Sequence, residues 1–321
     1  MKAAVGTPNG LEIRDDIPQP KPKASEVLVR VHAAGLNRAD LNAAKGTGGH
    51  GAVGAVVGLE WAGEVVETGA DVTHVKKGDR VACSGAGGYA EYAVTDYGRV
   101  TKIPGNMDFE TAATLPIALH TMHNAVITAG RMTAGESVLI QGASSGVGLM
   151  GLQIAKKKGA ALVIGSSTND ARRARLKEFG ADLAIDTRDP AWPDEVLKAT
   201  DGKGVHLVVD MVSGQTVVPA MRATRVLGRI VNVGRLGGKT AEFDFDIHAA
   251  RRIDYIGVTF RTRTVEEVRE IGRLATADLW EQLVAGDIAL PIDRRFTLSD
   301  AVEAQAYMRS NSHFGKLVLT V

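Results

Sequence analysis

The stretch SVLIQGASSGVG, residues 137–148, decides the fold. Its first four residues are a short run of the kind that forms a buried strand, and a helical pattern extends from Val147 to Lys158. Between them, glycines at 142, 146 and 148 allow close approach to the backbone, and a helix amino terminus favours an anion. The stretch therefore predicts a strand, a phosphate-binding turn and a helix.

Five more apolar runs follow this turn and alternate with helical patterns, one of which covers about 170–179. The runs predict strands at 161–165, 183–185, 205–210, 229–233 and 253–258. Apolar strands that alternate with helices indicate a parallel sheet covered on both faces, and six strands make a full dinucleotide-binding sheet. This context favours a dinucleotide more strongly than the G-x-x-x-G-x-G spacing of the turn alone.

The residues on either side of this region have a different organisation. Before it, predicted short strands at 27–33, 61–67, 79–82 and 89–94 suggest a compact β-barrel-like unit. Helices are predicted at 109–114, capped by Asp108, at 117–129, at 265–284 and at 300–308, and a last strand at 316–320. We therefore expect an α/β chain with a β-rich domain over 1–121 and 260–321, and a dinucleotide-binding domain over 122–259.

Composition narrows the function classes. The 321 residues carry a net charge of +1, which gives no electrostatic footprint for nucleic acid or an anionic membrane. The single Cys83 excludes an internal disulfide and a four-cysteine zinc site. The first residues lack signal-peptide order, and no apolar run reaches the roughly 18 residues of a spanning helix. We expect a cytoplasmic protein.

The end of the second strand of such a sheet distinguishes NAD from NADP. An acidic residue there binds the ribose 2′-hydroxyl, whereas hydroxyl and basic groups accept a 2′-phosphate. Here the hydroxyl and basic residues are Ser166, Ser167, Thr168, Arg172 and Arg173, and Arg188 after the third strand could also reach the phosphate. The pattern favours NADPH. The alternative is that the hydroxyls only cap a helix, with Asp170 as its N-cap and the arginines solvated.

Several motifs, in order, carry a resemblance over nearly the whole length. They are GLNRAD at 35–40, GLEWAG at 58–63, GDRV at 78–81, Leu115-Pro116 with Thr121, the turn at 142–148, and Asn232-Val233-Gly234. With these the chain resembles the zinc-free quinone oxidoreductase branch of the medium-chain dehydrogenase/reductase superfamily. The resemblance implies a GroES-like β-rich catalytic domain, a six-stranded doubly wound Rossmann domain, coenzyme in the cleft between them, and a homodimer.

The resemblance also indicates that no metal is bound. Zinc enzymes of the superfamily have a cysteine at the position of Asn37 and a histidine at that of Leu59, and neither residue here is such a ligand. Glu60 remains, but one carboxylate does not make a zinc site, so a structural hydrogen-bonding role is expected for it.

The resemblance implies roles for residues along the chain. For the coenzyme they are Ser144, Ser145, Gly146 and Val147 in the turn, Val212, Val233, Gly234, Phe260 and Arg261 around the nicotinamide half, and Lys316 near the cleft. Asn37 and Thr121 lie near the nicotinamide in the resembling enzymes. Val233 as strand core, Phe260 as a packing aromatic and Lys316 as a surface charge are the alternatives.

The predicted activity is an NADPH-dependent, metal-free transfer of hydride to a quinone or an α,β-unsaturated carbonyl. Without a Lewis acid, an acceptor activated by conjugation is favoured, and hydrogen-bond donors must stabilise the developing oxyanion. Asn42, Lys45 and Thr121 are candidate donors, and the proton can come from water; His50, His120 and His123 are weaker candidates because lone histidines more often pack.

Alternative functions are an enoyl-thioester reductase and a low-turnover NADPH-binding redox sensor. A short-chain dehydrogenase is set aside, because no tyrosine has a lysine four residues later. Asn42 and Ala44 stand where many quinone oxidoreductases have tyrosine and arginine, so one wall of the substrate pocket differs.

Overall fold

A computed structural model of the chain describes residues 1–47 and 51–321. It divides into two compact units, one formed by Met1–Ala118 with Arg261–Val321 and the other by Leu119–Phe260. The boundaries predicted from the sequence, at 121/122 and 259/260, lie within three residues of these.

The first unit is β-rich. Before the second unit its strands are β1 (Ala3–Thr7), β2 (Gly10–Arg14), β3 (Glu26–Gly35), β4 (Glu60–Thr68), β5 (Arg80–Ser84), β6 (Tyr92–Asp96) and β7 (Val100–Lys102). Its helices there are α1 (Asp40–Ala43) and α2 (Phe109–Ala112), and α3 (Pro116–His123) crosses the boundary. Asp108 caps α2 by accepting a hydrogen bond from Thr111 N at 2.7 Å, as predicted.

The second unit follows the strand and helix alternation predicted from the sequence. Its strands are β8 (Ser137–Gln141), β9 (Leu162–Ser166), β10 (Leu183–Ile185), β11 (Val205–Asp210), β12 (Thr224–Asn232) and β13 (Asp254–Gly257). Its helices are α4 (Gly146–Lys157), α5 (Asp170–Ala174), α6 (Trp192–Ala199), α7 (Val217–Ala223) and α8 (Phe245–Arg251). The six strands are all parallel, in the order β10-β9-β8-β11-β12-β13, which confirms the predicted sheet.

The chain then returns to the first unit with α9 (Val265–Val284), β14 (Ile292–Thr297), α10 (Ala301–Arg309) and β15 (Lys316–Thr320). These last strands join β3, β4, β5 and β7 in a seven-stranded sheet, with β6 also paired to β3. Its core buries Trp61, Tyr89 and Leu317 completely. Cys83 lies in the same core, and burial raises the pKa of its thiol well above the ordinary value.

Most predicted elements differ from the observed ones by one to three residues at an end, and three differ by more. The helix predicted at 117–129 is α3 followed by a π-helical turn over Asn124–Ala129, whose wider hydrogen-bonding pattern a 3.6-residue period does not reveal. The helix predicted at 170–179 stops at Ala174 and continues as a 3₁₀ turn that ends at Gly180. Strand β12 begins five residues before its predicted start, because Thr224, Arg225 and Gly228 break the apolar run there. Its pairing with β11 shifts register over the same residues.

Other elements have no prediction to compare: β1, β2, β7, β14, α1, α6, α7 and α8. Among the residues described, no helix is both long enough and apolar enough to cross a bilayer.

Candidate functional site

The turn after β8 is held by hydrogen bonds to its own residues and to β9. Gly142 has a φ of +73°, and its N–H donates to Ser166 Oγ at 3.1 Å. Ser145 is the N-cap of α4, because its Oγ accepts from Gly148 N at 3.1 Å. The amino end of a twelve-residue helix therefore follows a fixed turn directly, which is the arrangement that binds a phosphate.

Gly148 permits this turn to close. A Cβ atom at position 148 would lie 2.6 Å from Ala143 Cα, so α4 could not keep its place behind the turn. We expect Gly148→Ala to lower the free energy of unfolding by about 1–3 kcal/mol and to weaken coenzyme binding. Gly257→Ala is the matched control, because nothing lies within 4 Å of its Cβ position. Equal urea midpoints for the two variants would contradict the expectation.

The hydroxyls at the end of β9 are built into the turn. Ser166 and Ser167 are buried, and Ser167 Oγ donates to Ser144 Oγ at 3.1 Å. The N-cap of α5 is Asn169, whose side chain accepts from Arg172 N at 3.0 Å, so the alternative that Asp170 is the cap is wrong. Asparagine and aspartate are about equally good caps, so the sequence did not separate them.

Two of the arginines near this strand end form ion pairs with the same carboxylates. Arg173 donates to Ser167 O at 3.0 Å and pairs with Asp170 and Asp186, each at 3.1 Å. Arg188 pairs with the same two carboxylates, and its hydrogen bond is the main cause that lowers the pKa of Asp186 to about 2. Arg172 lies half-buried on the first turn of α5, and its contact with a 2′-phosphate stays a prediction.

The loops that follow β11 and β12 are joined by a buried carboxylate. Asp210 Oδ1 accepts from Val212 N at 2.8 Å and Ser213 N at 2.9 Å, and burial raises the pKa of this carboxyl group. Its backbone oxygen accepts from Val233 N and Gly234 N, so it fixes three of the residues predicted around the nicotinamide. Sequence analysis missed Asp210, although an acid that ends an apolar run signals such a role.

In the first unit, a second polar cluster surrounds Glu60, which begins β4. Lys316 Nζ donates to Glu60 Oε1 at 2.5 Å, Asn37 Oδ1 at 3.0 Å and Leu36 O at 2.9 Å. Asn37 Nδ2 also donates to Glu60 Oε1, and Ile117 N donates to Glu60 Oε2. The three N–H donors of the ammonium group are thus all used within the protein.

The structure therefore places Lys316 in the interior, 3% exposed, and not at the surface. Glu60 has the structural hydrogen-bonding role that its position predicted. The oxygen and the nitrogen of the Asn37 side-chain amide both form hydrogen bonds within this cluster, so Asn37 orients the neighbouring groups.

Asp40 extends the cluster through the loop after β3. Its Oδ2 accepts from Asn37 N at 2.8 Å and from the Tyr89 hydroxyl at 2.6 Å, while its Oδ1 is buried and has no hydrogen-bond partner. Burial raises the pKa of Asp40 to about 7, and the hydrogen bonds from Tyr89 and Asn37 oppose that rise. This carboxyl group was not singled out from the sequence.

The pKa of Asp40 predicts a pH dependence of stability. Because its folded-state pKa of about 7 exceeds the ordinary value of 3.8, the folded chain binds more protons than the unfolded chain between these limits. The contribution of Asp40 to the free energy of unfolding is complete below about pH 4 and is lost as the pH rises to about 7. We expect Asp40→Asn to gain stability relative to the wild type over this interval, by up to about 4 kcal/mol.

Urea unfolding at several pH values measures this effect. Asp71→Asn, at an exposed position, is the matched control and should follow the wild-type curve. A constant difference between Asp40→Asn and the wild type across the interval would contradict the assignment.

The other predicted residues lie at several places. Asn42 and Lys45 are exposed at the end of α1, Thr121 is half-buried on α3, and Phe260 and Arg261 lie at the boundary between the units. His120 and His123 are buried on α3, and His50 lies outside the described residues. Within 1–47 and 51–321, no three histidine, cysteine, aspartate or glutamate side chains form a group suited to a metal ion.

Comparison with known proteins agrees with this architecture. The family model for an alcohol dehydrogenase GroES-like domain matches residues 23–105, and that for a zinc-binding dehydrogenase matches residues 146–276. The β-rich unit and the parallel-sheet unit thus each match a domain model of dehydrogenases.

Individual relatives narrow the class. Human quinone oxidoreductase is 31% identical over 98% of this chain and 94% of its own length. A quinone oxidoreductase structure from Pseudomonas syringae is 27% identical with a TM-score of 0.88, covering 100% of this chain and 99% of that one. A mycobacterial protein complexed with NADPH is 25% identical with a TM-score of 0.90 and full coverage of both chains. This chain belongs to the medium-chain dehydrogenase/reductase superfamily, in its quinone oxidoreductase-like branch.

Proposed function

We propose that this protein is an NADPH-dependent reductase that transfers hydride to a quinone or an α,β-unsaturated carbonyl without a metal. The observation that carries the proposal is the chemistry of positions 37, 59 and 60. They present an amide, an alkyl group and a carboxylate, and the Lys316 ammonium already binds the amide and the carboxylate. An acceptor activated by its own conjugation suits such a site, because it needs no Lewis acid.

The second unit fits the proposed coenzyme. The backbone turn at 142–145 and the start of α4 would hold the pyrophosphate, and Gly148 keeps the space that a Cβ would fill. The 2′-phosphate would be held by Ser166, Ser167, Thr168 and Arg172. Arg173 would support this site by donating a hydrogen bond to the backbone oxygen of Ser167. When bound, the nicotinamide supplies the hydride. NADPH in the mycobacterial relative supports this choice of coenzyme.

The protein's own contribution is orientation and stabilisation of charge. Val212, Val233 and Gly234 are held by Asp210, so they can form a fixed wall for the nicotinamide half. Asn42, Lys45 and Thr121 are the proposed donors to the oxyanion that develops on the acceptor. Asn37 and Lys316 act as positioning residues, because their polar atoms are bound to each other and to Glu60.

A steady-state assay tests the proposal with the full chain. NADPH and NADH are each supplied with a simple quinone, an enone, an enoyl thioester and an aldehyde, before and after treatment with a chelator. We expect NADPH oxidation with the quinone or the enone, unchanged by the chelator. Lys45→Ala should lower kcat with the same acceptor, whereas Lys77→Ala, another exposed lysine, should not.

The other outcomes identify the alternatives. Turnover with the enoyl thioester alone would indicate an enoyl-thioester reductase. Tight NADPH binding with no turnover of any acceptor would indicate a redox sensor. Chelator-sensitive reduction of the aldehyde would contradict the metal-free proposal.

Assembly and location are part of the same proposal. A homodimer would give a partner to β13, one of the two edge strands of the sheet. Tyr255 on this strand is 37% exposed, and Phe245 at the start of α8 is 76% exposed. Light scattering during gel filtration measures this state, and a monomer at micromolar concentration would contradict it. A cytoplasmic location remains a prediction from the sequence.

A further inference from the structure

The second unit contains a cavity of about 410 Å³, open to solvent, at the amino ends of its strands. Gly202, Lys203, Arg225, Val226 and Arg251 line it. They lie in the loop before β11, in the first residues of β12 and at the end of α8. Because all six strands are parallel, the turns proposed to bind coenzyme follow the opposite, carboxyl ends. The cavity is therefore separate from the proposed coenzyme site.

Three of the five lining residues are cations. Within the described part of the chain, no carboxylate forms an ion pair with Lys203, Arg225 or Arg251, not even the neighbouring Asp201. Arg251 Nη1 donates to Thr224 O at 2.6 Å, which fixes its guanidinium beside the start of β12. A protein of net charge +1 thus concentrates three uncompensated positive charges around one cavity.

Arg225 also lies against the imidazole ring of His206. Ser137 N donates to His206 Nδ1 at 3.0 Å, so this nitrogen carries the lone pair and Nε2 of the neutral ring carries the hydrogen. The Arg225 guanidinium contacts Nε2. Burial, and then Arg225 itself, lower the pKa of His206, which keeps the ring neutral. An anion in the cavity would accept hydrogen bonds from the Arg225 donors that do not face His206.

The two backbone segments that line the cavity pack closely against each other. Gly204 has a φ of +87°, and a Cβ there would lie 2.6 Å from Ala223 O and 2.8 Å from Arg225 N. The loop before β11 therefore lies directly against the start of β12, which brings Lys203 beside Arg225. Leu227, two residues after Arg225, has a φ of +61°, a strained value for leucine.

We propose that this cavity binds the diphosphate group of a small molecule. Arginine binds phosphate with paired donors and lysine acts as a compact charge, so the three side chains suit a polyvalent phosphate. The volume lies within the range of about 300–1,000 Å³ found for small-molecule sites, and exposed Val226 supplies an apolar wall. The cavity thus has room for an organic group attached to the phosphates.

Calorimetric titration of the full chain with inorganic diphosphate, and separately with adenosine diphosphate, tests this site. The titration is done at low ionic strength with NADP⁺ at saturation, which keeps the turn at 142–148 from binding the probe. The test variant combines Lys203→Gln with Arg225→Gln. The control combines Lys77→Gln with Arg309→Gln, which removes the same charge from exposed positions in the other unit.

We expect the cavity variant to bind diphosphate at least tenfold more weakly, while the control stays within twofold of the wild type. Tighter binding of adenosine diphosphate would show that the organic group is recognised, and equal binding would assign the site to free diphosphate. Absence of binding to the wild type at millimolar probe, or equal losses in both variants, would overturn the proposal. Arg251→Gln alone, checked by its thermal melt, repeats the test if the double variant is unfolded.

Discussion

Lys316→Met should destabilise the first unit by about 3–5 kcal/mol. The substitution leaves the Glu60 carboxylate and Asn37 Oδ1 buried without the ammonium that now donates to both. A buried charge that loses its only counter-ion costs far more than an exposed one, since water cannot replace the partner. The midpoint of urea unfolding measures the loss.

Lys102→Met is the matched control for this variant. Lys102 pairs with Asp79 at 2.8 Å, but its side chain is 52% exposed, so its removal should cost less than about 1 kcal/mol. Adding Glu60→Gln to Lys316→Met should recover part of the stability, because no buried charge then remains. Equal losses for Lys316→Met and Lys102→Met would show that the buried pair is not a major source of stability.

Arg172→Ala should weaken NADPH binding by about 10- to 100-fold, the value of charge-assisted hydrogen bonds to a phosphate. Binding of NADH should change by less than twofold, because NADH has no 2′-phosphate. Fluorescence titration of the reduced coenzyme measures both constants.

Two neighbouring substitutions sharpen this test. Arg175→Ala, one position beyond α5, should leave both affinities unchanged. Arg173→Ala should weaken both coenzymes together, because Arg173 supports the Ser167 carbonyl and pairs with Asp186. Equal losses of NADPH and NADH binding in Arg172→Ala would exclude Arg172 as the residue that recognises the phosphate.

The parallel sheet could be predicted because its signals are local. Each buried strand is a short apolar run, and the turn at 142–148 places three glycines where the backbone needs them. The same holds for α9, whose predicted bounds of 265–284 are those of the structure. Its cap, Thr264, and Glu267 form a reciprocal pair that fixes the start of the helix within four residues.

The buried polar clusters could not be predicted in the same way. Lys316 is 256 residues from Glu60 in the chain, and only the pairing of β15, β3 and β4 brings them together. Asp40 and Tyr89 likewise meet through tertiary structure alone. The π-helical turn after α3 depends on backbone hydrogen bonds that no residue pattern indicates. The sequence therefore identified candidate residues, whereas their hydrogen-bond partners could be identified only from the folded structure.

The burial of Cys83 gives the protein an internal reporter. It is the only cysteine, and it is inaccessible in the core of the first unit. A thiol-specific reagent can react with it only after that core opens, so the rate of alkylation in native buffer measures the opening of this unit without interference from a second sulfhydryl. Substitutions in the parallel-sheet unit can then be separated from substitutions in the β-rich unit by one labelling curve.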